Sequence, residues 1–112
     1  MRRVCLTMLV PLQAQGRLID FLAGPHAGQA EFSMHPVSAR GPLVRMRRSE
    51  EQVQGYAERT EVQLILDRAD CEALIGPLRA LMAGVDGGFW VTAVERFEAF
   101  DAPPAAAPGA AE

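Results

Sequence analysis

The fold is decided by residues 60–82, which read TEVQLILDRADCEALIGPLRALM. From Thr60 to Leu66, apolar and polar side chains alternate, and this period of two predicts a half-buried strand. After Asp70, the expected helix N-cap, apolar residues recur at spacings of three and four, which predicts an amphipathic helix. A strand that leads directly into such a helix predicts a layer of helix packed on a layer of sheet.

The rest of the chain repeats this alternation of strand and helix. A first strand is predicted at Arg3–Val10 and a helix at about Leu12–Ala23, where Gly24-Pro25 stops it. Further strands are predicted at about Ala30–Ala39, at Arg59–Leu66, and from Phe89 to Phe97 or beyond. The order β-α-β, β-α-β predicts an α+β, ferredoxin-like βαββαβ fold, with a four-stranded antiparallel sheet and two helices on one face.

Length and composition indicate one globular domain with a short tail. The chain has 112 residues, of which 49% are apolar and 22% charged, as in ordinary globular domains. Residues 1–100 carry the predicted elements, whereas residues 101–112 are rich in alanine and proline and are expected to form a disordered tail. The net charge of −3 disfavours nucleic-acid binding. No apolar run approaches the roughly 18 residues of a spanning helix, so a membrane protein is not expected.

One face of the predicted sheet has no helix to cover it. That face would carry Cys5, Thr7, Leu9, His35, Val37 and either Trp90 or Val91. A face this apolar is not left in water over a few hundred Å². We therefore expect it to be buried between copies of the chain in a homo-oligomer.

The reactive residues indicate neither catalysis nor metal binding. Cys5 and Cys71 lie in apolar patterns, which predicts two buried free thiols in a reducing cytosol. His26, Met34 and His35 show no recognised spacing of metal ligands. Since no pairing of a nucleophile with a base is supported, we expect no catalytic residues, no metal site and no enzymatic activity.

An irregular stretch from Gly41 to Gly55 separates the second and third predicted strands. Ser49 and Gln52 have the spacing of a capping box, which predicts one helical turn before Gly55 reverses the chain. Arginines alternate there with apolar residues, as is typical of a partner-binding loop, at Leu43, Val44, Arg45, Met46, Arg47 and Arg48. The alternative is a solvated loop whose arginines are balanced by Glu50, Glu51 and Glu58.

Over about residues 1–100 the chain resembles the PII-like (GlnB-like) signalling proteins, in particular a short bacterial branch associated with heavy-metal efflux systems. Four segments carry the resemblance: Arg3–Pro11, Val37–Gly41, Leu43–Gly55 and Thr60–Leu66. The resemblance implies a cytoplasmic homotrimer that binds an adenine nucleotide or another anionic effector in clefts between subunits. It also implies a loop, at about 41–55, that engages a membrane transporter or efflux component.

The resemblance places the effector beside two glycine-containing segments. The implied effector-binding residues are Arg40, Gly41, Gly84, Asp86, Gly87 and Gly88. In typical PII proteins the loop before the fourth strand contains Thr-Gly-x-x-Gly-Asp-Gly-Lys, which cradles phosphates. Here residues 82–89 read MAGVDGGF, which keep the Asp-Gly pair but lack the threonine and the lysine. Backbone N–H groups of a glycine-rich turn still suit an anion, but the electrostatic attraction is weaker.

Two further functions are consistent with the predicted fold. One is a ligand-free oligomeric adaptor that docks on a transporter. The other is a divalent-cation-responsive protein of the CutA type, which shares the fold. No cofactor other than the implied adenine nucleotide is expected.

Overall fold

The computed structural model of the chain describes residues 2–27, 30–46 and 48–101. Arg47 and the predicted disordered tail from residue 102 onward lie outside the described residues, as does the side chain of His26. Apart from a single 3-10 turn at Pro25–Ala27, which follows the first helix, the elements occur in the predicted order. They are β1 (Arg3–Val10), α1 (Leu12–Ala23), β2 (Ser33–Ala39), α2 (Ser49–Gln54), β3 (Ala57–Asp67), α3 (Arg68–Leu81) and β4 (Gly88–Ala93).

The four strands form one antiparallel sheet in the order β2-β3-β1-β4. This confirms the predicted ferredoxin-like arrangement, in which β1 is central and pairs on both sides. Leu6 of β1, for example, lies opposite Leu64 of β3 and Val91 of β4. The bounds of β1 and α1 agree with the prediction.

The hydrophobic core lies between the sheet and its two long helices. Alternate residues of β1 point into it, and Val4, Leu6 and Met8 are each no more than 1% exposed. Both helices supply buried residues at spacings of three and four to the same cluster, namely Ala14, Leu18, Leu22, Cys71, Leu74 and Leu78. Burial of each such leucine stabilises the fold by about 1.5–3 kcal/mol.

The strand ends depend on what each strand can pair with. The second strand was predicted to begin at Ala30 but begins at Ser33, because the Ala30 N–H is donated to the Leu22 carbonyl at the end of α1, 3.0 Å away. The fourth strand was predicted to reach Phe97 but ends at Ala93. Its partner β1 begins at Arg3, whose carbonyl accepts the N–H of Val94, so the ladder ends there.

The prediction that Asp70 caps α3 is wrong. The helix begins earlier, at Arg68, with Asp67 as the N-cap residue and no capping hydrogen bond from its side chain. The N–H of Arg68 is instead donated to the Arg2 carbonyl over 2.8 Å. A neighbouring backbone group thus satisfies one of the N–H groups that a capping side chain would otherwise accept.

Candidate functional site

The face of the sheet opposite the helices is the place where predicted functional groups meet. Thr7 lies opposite Trp90 on β4 and opposite Gln63 on β3, so Trp90 shares this open face with Thr7. Val91 lies opposite Leu6 and belongs to the helix side. Of the two residues left open by the sequence, Trp90 is therefore the one on the open face.

The loop between β2 and α2 covers one end of the open face. Thr7 and Leu9 point to this face yet are only 2% and 8% exposed. Leu43 lies directly over Gly88, where an added Cβ would be 2.7 Å from Leu43 Cδ2, and Gly88 pairs with Leu9. The prediction of a face covered only by other copies is therefore wrong at this end. At the other end Ile65 and Trp90 remain 42% and 41% exposed.

The loop points its apolar residues partly inward. Leu43, Val44 and Met46 are half-buried, whereas Arg45 and Arg48 are exposed. The N–H of Val44 is donated to the Gly41 carbonyl over 3.1 Å, which closes a tight turn. As a partner-binding loop it therefore presents its cations more than its apolar side chains in this conformation.

The central residue of the site is Arg59, which the sequence did not single out. Its guanidinium is only 8% exposed, although it lies on the open face. Nη1 lies 3.4 Å from Glu51 Oε2 of α2, and Nη2 lies 3.2 Å from Asp86 Oδ2 in the turn before β4. The same guanidinium donates hydrogen bonds to the carbonyls of Arg45 (3.0 Å) and Glu58 (2.8 Å). Arg59 therefore connects β3, the loop, α2 and the turn.

Asp86 is a predicted effector-binding residue that contacts the loop. Besides the ion pair with Arg59, its Oδ2 accepts the backbone N–H of Arg45 over 2.9 Å. The structure thus brings the predicted effector-binding turn into direct contact with the predicted partner-binding loop. The sequence contained no signal that Arg59 and Glu51 connect this turn and this loop, because an arginine and a glutamate in a polar stretch are ordinarily solvated.

The glycine turn presses closely against β1. A Cβ on Gly87 would lie 2.1 Å from the Leu9 carbonyl oxygen, and the φ of Gly87 is +150°, which side-chain-bearing residues rarely adopt. Gly41 and Gly84 have open space around them, although their φ values of +152° and +79° also favour glycine. No heavy atom of the described structure lies within 4 Å of a Cβ on Gly41 or Gly84, and Arg40 Nη1 would lie 3.6 Å from a Cβ on Gly55.

The short helix α2 is capped by a different residue from the one predicted. Ser49 is its first residue and not the cap; the N-cap is Arg48, whose backbone N–H is donated to Glu51 Oε1 over 3.2 Å. Since an arginine side chain has only donors, the cap consists of this glutamate alone. Gln52 instead donates to the Met46 carbonyl. The reversal predicted at Gly55 is confirmed, with φ +83° in the left-handed region.

Two concavities accompany this arrangement. A cavity of about 250 Å³ lies beside the glycine turn, lined by Gly87, Gly88, Phe89, Met82 and other largely apolar groups, with Arg79 as its one charged side chain. A wider and more open depression of about 900 Å³ involves Arg3, Phe32 and Phe97, none of which belongs to the predicted site. The first is the one adjacent to the predicted effector-binding residues.

The other candidate groups show no reactive arrangement in the described part of the chain. Cys5 and Cys71 are free, and burial, with Glu72 nearby, raises the pKa of the Cys71 thiol above its usual range against a smaller opposing effect of Arg68. Residues 2–27, 30–46 and 48–101 contain no group of three potential metal ligands. Within the same residues, no helix is long and apolar enough to cross a membrane.

The profile of a family described as "Protein of unknown function (DUF3240)" matches residues 1–101 of the sequence. The chain belongs to the DUF3240 family. No curated protein matches the sequence of this DUF3240 chain.

Solved structures share its fold at low sequence identity. A DUF3240 protein from Shewanella baltica OS155 superposes with a TM-score of 0.65 at 14% identity, covering 87% of this chain and 94% of that one. CPII, a nitrogen regulatory PII-like protein from Thiomonas intermedia K12 solved with ADP, AMP and bicarbonate, gives 0.65 at 11%, with 88% and 97% covered. The Bacillus subtilis GlnK–ATP complex gives 0.59 at 12%, with 84% and 85% covered. The DUF3240 chain therefore has the PII-like fold.

Proposed function

We propose that this protein is a PII-like regulator that binds an anionic effector at the glycine turn and reports its occupancy through the loop at about 41–55. One observation carries the proposal: Asp86 of the turn accepts the N–H of Arg45 in the loop, and it pairs with Arg59 of β3, whose guanidinium donates to the Arg45 carbonyl. A ligand that contacts the turn differently in the two loop states would shift the loop between them. Binding, and not catalysis, is the proposed task.

The proposed effector is an adenine nucleotide or another small anion. PII-like proteins of the same fold have been solved with ADP, AMP and bicarbonate, and with ATP. Here Arg40, Arg45 and Arg48 are exposed around the loop and supply cations, while the turn at Asp86–Gly88 supplies backbone N–H groups. Because residues 82–89 contain no lysine, we expect weaker nucleotide binding than in a protein that has one.

The proposed assembly is a homotrimer with the effector in clefts between subunits. The uncovered end of the open face supports an assembly of copies, since Ile65 and Trp90 are both more than 40% exposed there. A membrane transporter or a component of metal efflux, contacted from the cytoplasm, is the proposed partner of the loop. Cation sensing of the CutA type is not proposed, because nothing in the described residues favours it.

Titration calorimetry with ATP, ADP, AMP and cyclic AMP, and separately with bicarbonate, tests the effector. We expect saturable binding of at least one of these compounds and its loss in Arg40→Gln. Arg68→Gln is the matched control, because Arg68 begins α3 while the glycine turn follows the other end of that helix, about 20 Å away at 1.5 Å per residue. Flat titrations with all five compounds would contradict effector binding and favour the ligand-free adaptor.

A further inference from the structure

We propose that Arg59, Glu51 and Asp86 form an ion-pair latch that holds the loop closed over one end of the open face. The three residues come from β3, from α2 and from the turn before β4, so the latch joins elements that are far apart in sequence. Their side chains are 8%, 14% and 15% exposed. These contacts alone support the inference that the latch holds the loop. The inference that the latch also controls a partner rests on the proposed function.

The latch is the main attachment of α2. This helix has six residues, Ser49–Gln54, none of which is buried, and a helix this short is not stable by itself in water. Val53, its one large apolar side chain, is 87% exposed. The Glu51 side chain, which is only 14% exposed, accepts from the Arg48 N–H and pairs with Arg59, and is therefore what positions the helix against the sheet.

The charges of the latch make its closed state easily opened. Two carboxylates share the Arg59 guanidinium in a mostly buried place, and Arg59 Nε has no partner among the described residues. Buried ion pairs contribute little net stability because desolvation offsets the attraction. Removing one partner, however, leaves the other charge buried and uncompensated. These ion pairs therefore fix the position of the closed loop but add little stability to it, which is expected for a segment that opens locally.

Opening the latch has defined consequences. It frees the N–H of Arg45 from Asp86 and lifts Leu43 from Gly88, which uncovers the Leu9–Gly88 end of the open face. The same event thus changes the shape of the loop, the charge near the glycine turn and the apolar area of the face. Whether the latch is closed or open would therefore link effector binding to partner binding.

Trypsin measures the latch without any ligand, because Arg45 and Arg48 are exposed cleavage points on the loop. In the full chain, Glu51→Gln and Asp86→Asn should speed cleavage after these arginines about tenfold or more, the loss of roughly 1.4 kcal/mol or more expected for a charged hydrogen bond. Glu50→Gln is the control, since Glu50 lies on the same helix but its side chain is 67% exposed and, among the described residues, pairs with the exposed Arg48. We expect trypsin to cleave this variant at the same rate as the wild type.

A second measurement separates local opening from loss of the fold. Hydrogen exchange at the Arg45 amide should accelerate in Asp86→Asn, while the amides of β1 keep their protection. In the double variant Glu51→Gln/Asp86→Asn, the rate increases should fall short of the product of the single effects, because both carboxylates act through Arg59.

Two results would overturn the latch: equal cleavage rates in Glu51→Gln, Asp86→Asn and the Glu50→Gln control, or acceleration only together with exchange of the β1 amides. Neither result depends on the calorimetry. Flat titrations together with accelerated cleavage would contradict effector binding and support the latch. Saturable binding together with unchanged cleavage would support effector binding and contradict the latch.

Discussion

At the scale of single residues, backbone proximity explains why particular glycines occupy the turn. Gly87 lies so close to the Leu9 carbonyl that a methyl group has no room, and its positive φ adds strain for any other residue. Gly76 offers a contrast within the same chain: it lies inside α3, and no heavy atom of the described structure is within 4 Å of a Cβ built there.

The two glycines should respond to alanine in opposite directions. Gly87→Ala should lower the free energy of unfolding by about 2 kcal/mol or more, because the backbone of the turn or of β1 must move. Gly76→Ala should raise it by about 0.5–1 kcal/mol, the difference in helix propensity between the two residues. Urea denaturation of both variants beside the wild type measures this. Equal effects of the two substitutions would contradict the close approach of the turn.

At the scale of elements, the sequence predicted whether a segment is a strand or a helix better than it predicted the residues at which that segment begins and ends. The period-two strand at Thr60–Leu66 and the following amphipathic helix are confirmed, as are the bounds of β1 and α1. The start of β2, the end of β4 and the start of α3 were wrong, because each depends on a backbone partner outside the segment itself, such as the Arg2 carbonyl that accepts from Arg68. Periodicity contains no information about such partners.

The helix α1 allows a test of which apolar residues matter. Leu12 and Leu18 are both leucines of α1, but Leu18 is fully buried whereas Leu12, at the start of the helix, is 59% exposed. Leu18→Ala should therefore reduce the free energy of unfolding by about 2–5 kcal/mol. Leu12→Ala should change it by less than about 0.5 kcal/mol. Chemical denaturation of the two variants measures the contrast, and similar losses would show that the helix packs differently.

At the scale of the whole molecule, the open face is divided. Its Leu9–Gly88 end is covered by the chain's own loop, whereas the end that carries Cys5, Ile65 and Trp90 is not. The sequence predicted one uniformly bare face. The proposed contact between copies therefore belongs to the uncovered end.

A charge placed at the uncovered end should prevent assembly. Ile65→Arg should convert the proposed oligomer to monomers in sedimentation velocity at micromolar concentration, because an unpaired charge cannot be buried at an interface. Phe100→Arg is the control, because Phe100 is fully exposed and lies outside the sheet. Trp90, the only tryptophan of the sequence, reports the same event by a red shift of its fluorescence on dissociation. Assembly that persists in Ile65→Arg would place the interface elsewhere.

The sequence by itself determined the elements, their order and, for the first three strands, the side that faces the helices, because these follow from the local repetition of apolar residues. It also indicated the glycine turn and the arginine-rich loop as separate features. Only the tertiary structure decided that they touch, since Arg45 and Asp86 are 41 residues apart and meet through the folding of the loop onto the sheet. The burial of Arg59 was decided in the same way: a charged side chain is buried only where opposite charges converge, and that convergence is a property of the folded chain.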